Sequence, residues 1–232
     1  MAQHPALVLL SGGLDSVTAL AWAVKEGYTL RGAVSFTYGQ RHAREVAAAA
    51  AIAAYYDMFH QTIALTPISG SQLTDLGDIP QHRDLSALDE RITPTYVPNR
   101  NMILIAYATA QALLGDVAHL IGGWNHADAV NYPDCRDEFL EAAQQTLRLA
   151  TLRDFTIVRP LIRDDKPAIV RRALDLGAPI HLTWTCYLGE ERACGACDAC
   201  QLRIAAFRQV GVVDPGPYAS DIDWSGCRQY AA

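Results

Sequence analysis

The sequence predicts an α/β fold in which a parallel sheet is flanked by helices and followed by a short cysteine-bearing segment. Over the first two thirds of the chain, short apolar runs alternate with longer helical patterns, which is typical of a parallel sheet. The first apolar run ends directly in a Ser-Gly-Gly turn, and four cysteines lie close together near the C-terminus. We therefore expect an α/β unit at 1–180 and a second segment, packed on it, at 181–232.

The first half of the sheet is predicted from three apolar runs with two helical patterns between them. The run ALVLL predicts a buried strand at 6–10, and the amphipathic pattern after it predicts a helix at 14–26 that ends at Gly27. The remaining elements of this half are a strand at 30–36, an alanine-rich helix at 42–56 and a strand at 59–65.

The second half is introduced by a long segment, 66–95, whose Pro, Gly, Asp and Ser content and weak periodicity predict a functional loop. After it, the same alternation of helical and strand patterns resumes and predicts six further elements. These are a helix at 101–114, a strand at 118–122, a helix at 138–150, a strand at 156–159, and helices at 167–176 and 202–210.

Charge and hydropathy exclude several classes of protein. The chain has 232 residues with 19 Lys and Arg against 25 Asp and Glu, and a net charge of −6 disfavours general binding to nucleic acid. No apolar run approaches the roughly 18 residues that a membrane span needs. The N-terminus lacks the pattern of a secretory signal, so we expect a cytoplasmic protein whose thiols stay reduced.

The four cysteines Cys186, Cys194, Cys197 and Cys200 have the spacing C-x7-C-x2-C-x2-C. Two overlapping C-x2-C turns supply three thiolates from one short stretch, and Cys186 completes a tetrahedral set for zinc. Four protein ligands leave no open coordination position, so the metal would be structural. A disulfide pair or unliganded core thiols are the alternatives.

The turn after the first strand reads Ser11-Gly12-Gly13-Leu14-Asp15-Ser16 and leads into a helix. Its glycines allow close backbone approach, and the helix N-terminus with successive N–H groups can surround an anion. Asp15 would repel a phosphate unless a cation bridges them, which points to a magnesium-bound pyrophosphate. A glycine turn capped by serine and aspartate remains the structural alternative.

This SGGxDS pattern resembles the phosphate loop of the N-type ATP pyrophosphatases, which split ATP between the α- and β-phosphates. The resemblance implies an adenine nucleotide alpha hydrolase-like, Rossmann-like fold. Further motifs narrow it, and they follow the predicted strands in order. They are Tyr38-Gly39-Gln40-Arg41-His42, Tyr96 to Asn101, Tyr132-Pro133-Asp134-Cys135-Arg136, Lys166, Thr183 to Tyr187 with the cysteine cluster, and Gly211 to Pro215.

Together these motifs resemble the 7-cyano-7-deazaguanine synthase family over nearly the full chain. The resemblance implies a C–N bond-forming ligase that takes 7-carboxy-7-deazaguanine, ammonia and ATP. The carboxylate is adenylated, ammonia gives an amide, and a second activation leaves the nitrile. ATP, Mg²⁺ and a structural Zn²⁺ are the implied cofactors, and a homodimer is the implied assembly.

The resemblance also implies roles for individual residues. Ser11, Gly12, Gly13, Leu14, Asp15 and Ser16 would bind ATP, and Asp15, Arg100 and Lys166 would act in catalysis. Residues expected to bind the substrate are Tyr38, Arg41, His42, Arg100, Asp134 and Arg136. Structural alternatives stay open for several of these: a helix-start residue for Arg100 and His42, a solvated side chain for Lys166, and a packing ring for Tyr38.

One departure from the family pattern lies just before the YPDCR segment, where the chain reads Asp128-Ala129-Val130-Asn131 in place of Asp-aromatic-Ser-Gly. It falls where the substrate is expected. It keeps open an alternative in which the same carboxylate passes to another amine and stops at the amide, for example a protein amino group in an antiphage system. Transfer of sulfur to tRNA is disfavoured by the acidic charge and by the solitary Cys135.

Overall fold

A five-stranded parallel sheet forms the centre of the computed structural model, which describes residues 4–40, 43–75, 78–84, 92–188 and 191–231. Within these residues the strand order is β3-β2-β1-β4-β5, and every neighbouring pair is parallel. The strands are β1 (Pro5–Leu9), β2 (Thr29–Thr37), β3 (His60–Ala64), β4 (His119–Ile121) and β5 (Thr156–Val158). The predicted α/β fold with a parallel sheet is confirmed.

Helices connect the strands and cover both faces of the sheet. They are α1 (Leu14–Lys25), α2 (Ala43–Tyr55), α3 (Arg100–Leu114), α4 (His126–Ala129), α5 (Asp137–Thr151), α6 (Lys166–Asp175) and α7 (Asp198–Val210). Short 3₁₀ turns lie at Pro133–Cys135 and Ile180–Leu182. The sequence did not predict α4 or these turns, because a single helical turn is too short to show a periodicity. None of the helices in the described part of the chain is long and apolar enough to cross a membrane.

The two sides of the sheet bury different cores, and β1 shows how the residues alternate. Ala6 and Val8 point to the side that α1, α2, α6 and α7 cover, whereas Leu7 and Leu9 pack against the side that α3 and α5 cover. Fully buried side chains such as Leu20, Ile105, Leu140, Ile169 and Phe207 fill the two cores. Each contributes about 1.5–3 kcal/mol relative to exposure.

The strand order places a crevice at the carboxyl ends of β1 and β4. Successive strands add β2 and β3 on one side of β1, and then β4 and β5 on the other side. In open parallel sheets, ligands bind where the order reverses in this way. The turn that begins at Ser11 follows β1, and Gly122 follows β4, so both lie at this point.

The last helix begins four residues before the predicted position 202, at Asp198. Cys197 is the extended residue just before it, so Cys200 lies in its first turn rather than in a loop. The acidic Asp198 side chain favours a helix start because it faces the positive end of the helix dipole. The described parts of the predicted loop at 66–95 contain turns and coil, with Gln81 bridged to Cys197.

Candidate active site

A cavity of about 300 Å³ opens at the carboxyl ends of β1 and β4. Its walls come from the loops that follow these strands, from the starts of α2, α3 and α6, and from α7. The lining residues with polar or aromatic groups include Ser11, Asp15, Ser16, Tyr38, Glu45, Arg100, Asp128, Tyr132, Lys166, Trp184, Tyr187 and Arg203. The fold therefore gathers residues from nearly the whole chain at the crevice expected to bind a ligand.

The Ser11–Ser16 loop presents a helix N-terminus to the cavity. Gly13 is the residue before α1, and as a glycine it has no side chain that could cap the first free amides of the helix. Ser11 donates a hydrogen bond from its hydroxyl to the Ser16 hydroxyl at 3.1 Å, and the Ser16 hydroxyl donates to the Gly13 carbonyl at 3.0 Å. Uncapped amides beside two hydroxyl groups are suited to binding phosphate.

Gly12 does not line the cavity, because it is the point at which the loop touches α2. Its φ is +88°, and a Cβ atom there would lie 2.2 Å from the Glu45 carbonyl oxygen. Gly123 makes a similar close approach from β4, since a Cβ there would lie 2.6 Å from the Asp15 carbonyl carbon. These contacts fix the loop between α2 and the end of β4.

Lys166 binds two carboxylates at the floor of the cavity. Its Nζ atom lies 2.8 Å from Asp15 Oδ2 and 2.9 Å from Asp128 Oδ1, and its side chain is 16% exposed. Burial disfavours the charged amine, but the two carboxylates outweigh it, so the pKa of Lys166 lies above its ordinary value. The group is a fixed cation beside the loop, which argues against a solvated lysine.

Arg100 enters the cavity from the start of α3. Its guanidinium donates a hydrogen bond to the Tyr38 hydroxyl at 3.1 Å and lies over the Tyr38 ring, 5.8 Å from its centre. The preceding Asn99 has φ 54°, a left-handed conformation that asparagine tolerates. Both side chains face the same space, so Arg100 is positioned to clamp an anion and Tyr38 to contact a ring.

Two other expected substrate residues do not line the cavity. Asp134 is buried, and its Oδ2 accepts a hydrogen bond from the Asn101 backbone N–H at 2.9 Å, which caps α3. Its Oδ1 is buried without a partner in the part of the chain that the structure describes. Arg136 donates to the Ala129 carbonyl at 3.0 Å and so holds the turn before α5. Arg41 and His42 lie outside the described residues.

The structure adds residues to the site to which the sequence prediction gave no role. Asp128 lies in α4 and shares Lys166 with Asp15. Glu45 and Trp184 also line the cavity. Asp128 follows β4, where a site residue is expected in a parallel sheet, but nothing in the sequence paired it with a lysine 38 positions later.

Burial sets the electrostatics of two further cavity residues. It raises the pKa of Glu45 to about 7, although the charge of Arg100 acts in the opposite direction. Burial also raises the pKa of Cys135, whose Sγ accepts a hydrogen bond from the Asn101 side chain at 3.3 Å. A neutral buried thiol is a packing group rather than a nucleophile.

The four cysteines meet in space as predicted. Their Sγ atoms all lie within 4.8 Å of one another, and those of Cys194 and Cys200 are 3.9 Å apart. A tetrahedral zinc with Zn–S bonds of about 2.3 Å needs sulfur atoms about 3.8 Å apart. Backbone N–H groups donate to sulfur as well, for example from Cys197 to Cys194 Sγ at 3.2 Å. The arrangement could hold a four-coordinate metal ion.

The cysteine cluster joins segments that are distant in the chain. The His82 N–H donates to the Ala196 carbonyl at 2.9 Å, and the Ala193 N–H donates to the Pro217 carbonyl at 2.8 Å. Asp198, at the start of α7, accepts a hydrogen bond from Arg83 Nε at 3.1 Å. A metal at the cluster would hold these segments beside the cavity wall.

A buried ion pair ties α7 to the segment after it. Arg203 and Asp214 form two parallel hydrogen bonds of 2.6 and 2.8 Å, with side chains 6% and 0% exposed. Arg203 also donates to the Thr183 hydroxyl at 2.8 Å, and Tyr218 donates to Asp214 at 2.7 Å. Burial alone would raise the pKa of Asp214, but the Arg203 charge holds it below its ordinary value.

Comparison with known proteins agrees with the motifs and the fold. The family model described as "Queuosine biosynthesis protein QueC" matches residues 5–211. The 7-cyano-7-deazaguanine synthase of Thermosynechococcus vestitus is 46% identical over 225 residues, covering 92% of this chain and 95% of the relative. The enzyme of the same name from Acetivibrio thermocellus is 41% identical over 220 residues, covering 92% and 97%.

A solved structure, the NMN synthetase from Francisella tularensis, aligns with 17% identity and a TM-score of 0.47 over 82% of this chain and 69% of that chain. That likeness is too distant to carry a functional conclusion. The match to the family model and the relatives above 40% identity establish the family. The chain belongs to the family of the queuosine biosynthesis protein QueC.

Proposed function

We propose that this chain is a 7-cyano-7-deazaguanine synthase, an enzyme that converts 7-carboxy-7-deazaguanine and ammonia to the nitrile at the expense of ATP. One observation carries the proposal. The uncapped Ser11–Ser16 loop faces a cavity closed by Lys166, in a chain that matches synthases over 92% of its length.

The chemistry explains why such a site needs ATP. A carboxylate oxygen is a poor leaving group, and transfer of AMP to it creates a good one. The protein then contributes by positioning the reactants and by stabilising charge on the phosphates. Positioning by itself can supply about 7–11 kcal/mol.

Roles for the cavity residues follow from their placement. The first amides of α1 and the hydroxyls of Ser11 and Ser16 bind the phosphates of ATP. Lys166 neutralises charge that develops at the α-phosphate, since it is a buried cation at the floor of the cavity. Arg100 binds the carboxylate of the substrate or the α-phosphate, and Tyr38 packs against the ring. Substrate binding by Arg41, His42, Asp134 and Arg136 stays a prediction.

Magnesium fits the charge balance of the site. One lysine between two carboxylates leaves a net negative charge beside a loop that must receive a polyphosphate. Asp15 and Asp128 oxygens are hard ligands suited to Mg²⁺, and they would hold it against the phosphates. When bound, the ion would neutralise the pyrophosphate leaving group.

Zinc fits the cysteine cluster, because the four sulfur atoms lie close enough together to surround one ion and thiolates are common zinc ligands. Cys186, Cys194, Cys197 and Cys200 would hold it, with no position left for a substrate. The proposed role is to fix the segment at 181–232 on the α/β unit at 1–180. Thiolate ligands require reduced cysteines, which agrees with a cytoplasmic location.

The departure at Ala129, Val130 and Asn131 no longer argues for another acceptor. None of the three lines the cavity, and Asp128, which the family pattern shares, is the residue of this stretch that does. The proposed acceptor is therefore ammonia.

The test is mass spectrometry of a reaction that contains ATP, Mg²⁺, 7-carboxy-7-deazaguanine and an ammonium salt. We expect the nitrile, with AMP and pyrophosphate. A second reaction that starts from the 7-amide and ATP should also give the nitrile. Amide that accumulates without nitrile would contradict the proposed end product, and the absence of AMP would contradict carboxylate activation. Size-exclusion chromatography with light scattering tests the proposed homodimer.

A further inference from the structure

Glu45 is a carboxylate on the cavity wall for which the roles above leave no function. It lies in the first turn of α2 and lines the cavity. Its backbone is held against the phosphate loop, because the Glu45 carbonyl oxygen occupies the space that a side chain at Gly12 would need. Its position relative to the Ser11–Ser16 loop is therefore set by backbone packing rather than by a flexible segment.

The other acidic residues of the cavity are already engaged. Among the described residues that line it, three have carboxylates: Asp15, Glu45 and Asp128. Asp15 and Asp128 both bind Lys166 at less than 3 Å. Protonation of either carboxylate would therefore break its ion pair with the lysine. Of the three, Glu45 is the carboxylate suited to proton transfer.

The electrostatic surroundings of Glu45 also suit that function. Burial raises its pKa to about 7, the charge of Arg100 in α3 lowers it, and Cys186 in the segment after α6 raises it. A base with a pKa near the working pH exchanges protons most effectively. Glu45 and Arg100 line the same cavity, so the carboxylate belongs to the wall of the space in which Arg100 would hold the acyl group.

We propose that the Glu45 carboxylate is the general base that removes protons from nitrogen in both halves of the reaction, an inference that rests on the proposed function. In the first half, the ammonia lone pair forms a C–N bond to the carbonyl carbon of the acyl-adenylate. Glu45 accepts one proton from that nitrogen. The carbonyl re-forms as the C–O bond breaks, and AMP leaves with the electron pair.

In the second half, the amide oxygen attacks the α-phosphate of another ATP and pyrophosphate leaves. One N–H proton is lost at this step, which gives an adenylated imidate. Loss of the remaining N–H proton supplies the electron pair for the carbon–nitrogen triple bond, and AMP leaves with the oxygen. Glu45 accepts these two protons in turn and returns each to solvent. No oxidant or reductant is needed.

The experiment separates activation of the carboxylate from attack by nitrogen. Exchange of radiolabelled pyrophosphate into ATP, with 7-carboxy-7-deazaguanine and without ammonia, reports activation. Single-turnover formation of the amide after addition of ammonium reports attack. We expect Glu45→Gln to keep the exchange at nearly the wild-type rate and to slow amide formation by about 10²–10⁴-fold.

Glu138→Gln is the matched control. Glu138 is also a glutamate in the first turn of a helix, but it is exposed on α5 and does not line the cavity. It loses the same charge at a helix N-terminus, so it should leave both rates unchanged. Melting temperatures of the variants show whether each one is folded.

The pH profile tests the proton transfer itself. Total ammonium is adjusted so that free ammonia stays constant as the pH changes. The wild-type rate of amide formation should then rise through about pH 7, the pKa of Glu45, and Glu45→Gln should lack that inflection. Formate, a small carboxylate, should restore part of the rate to Glu45→Ala.

Three outcomes would overturn the inference: a wild-type rate of amide formation in Glu45→Gln, an equal loss of exchange and amide formation, or a wild-type profile that is flat at constant ammonia. The last measurement decides the question even if both variants fail to fold. Absence of exchange in the wild-type protein would instead contradict the proposed function.

Discussion

The buried pair of Arg203 and Asp214 allows a sharp prediction about stability, through the substitution Asp214→Asn. Asparagine keeps the shape of the side chain and removes its charge. Arg203 would then remain buried, with its donors to Thr183 and Thr185 intact but without a counter-ion. Because desolvation of an unpaired guanidinium is costly, the variant should be much less stable than the wild-type protein.

The magnitude follows from the burial of the pair. Removing one partner of a fully buried ion pair costs about 3–5 kcal/mol. For a domain of this size, each kcal/mol lowers the melting temperature by about 2–4 °C, so we expect a fall of about 6–20 °C. Calorimetry or thermal denaturation followed by circular dichroism measures this shift.

Asp116→Asn provides the control, since Asp116 also pairs with an arginine, Arg153, at 2.6 Å. That pair has side chains 89% and 55% exposed, and an exposed pair contributes about 0–1 kcal/mol. The melting temperature of this variant should therefore change little. Equal shifts in the two variants would refute the argument from burial.

Acid provides a second check on the same pair. The folded-state pKa of Asp214 lies below its ordinary value of 3.8, so its charge stabilises the folded protein at neutral pH. That contribution is lost as the pH falls below 3.8 toward the lower folded-state pKa. The difference in free energy of unfolding between the wild-type protein and Asp214→Asn should shrink over this range. A difference that stays constant would contradict the assignment.

Three further predictions concern the metal, the lysine and the glycine loop. Removal of metal from the four-cysteine cluster by a chelator should lower the melting temperature, and an unchanged melting curve after confirmed removal would contradict a structural role. Lys166→Met should slow pyrophosphate exchange by about 10²–10³-fold, whereas Lys25→Met, on the surface of α1, should not. In urea denaturation, Gly12→Ala should lower the free energy of unfolding by about 1–3 kcal/mol more than Gly27→Ala does. Both glycines have positive φ, but only the Cβ at Gly12 would clash, at 2.2 Å from the Glu45 carbonyl oxygen.

Most of the sheet and its helices could be predicted from the sequence because their signals are local. The run ALVLL identified β1 to within one residue, and Gly27 marked the end of α1 closely. The start of α7 was wrong by four residues, since the small residues around Cys197 and Cys200 resemble a loop. The sequence did not predict α4, because four residues are too few to show the hydrophobic periodicity of a helix.

The site was predicted in part for the same reason. The residues of the Ser11–Ser16 loop are contiguous and the four cysteines are close together in the chain, so their spacing alone predicts that each set meets in space. Asp134 and Arg136 belong to an equally specific motif, yet they hold the backbone of α3 and of the turn before α5 and do not line the cavity. A motif can thus indicate a family without showing which of its side chains face the ligand.

The sequence by itself determined the order of strands and helices, the position of the Ser11–Ser16 loop, the cysteine set and the family. Only the tertiary structure decided which side chains meet at the crevice. Lys166 and Asp15 are 151 residues apart in the chain, and no local pattern links them. They meet because the strand order places β1 beside β4, and Lys166, at the start of α6, lines the same cavity. There the two carboxylates give Lys166 its fixed charge, and burial gives Glu45 its raised pKa. Periodicity and spacing depend on neighbours along the chain, whereas charge and desolvation depend on neighbours in space.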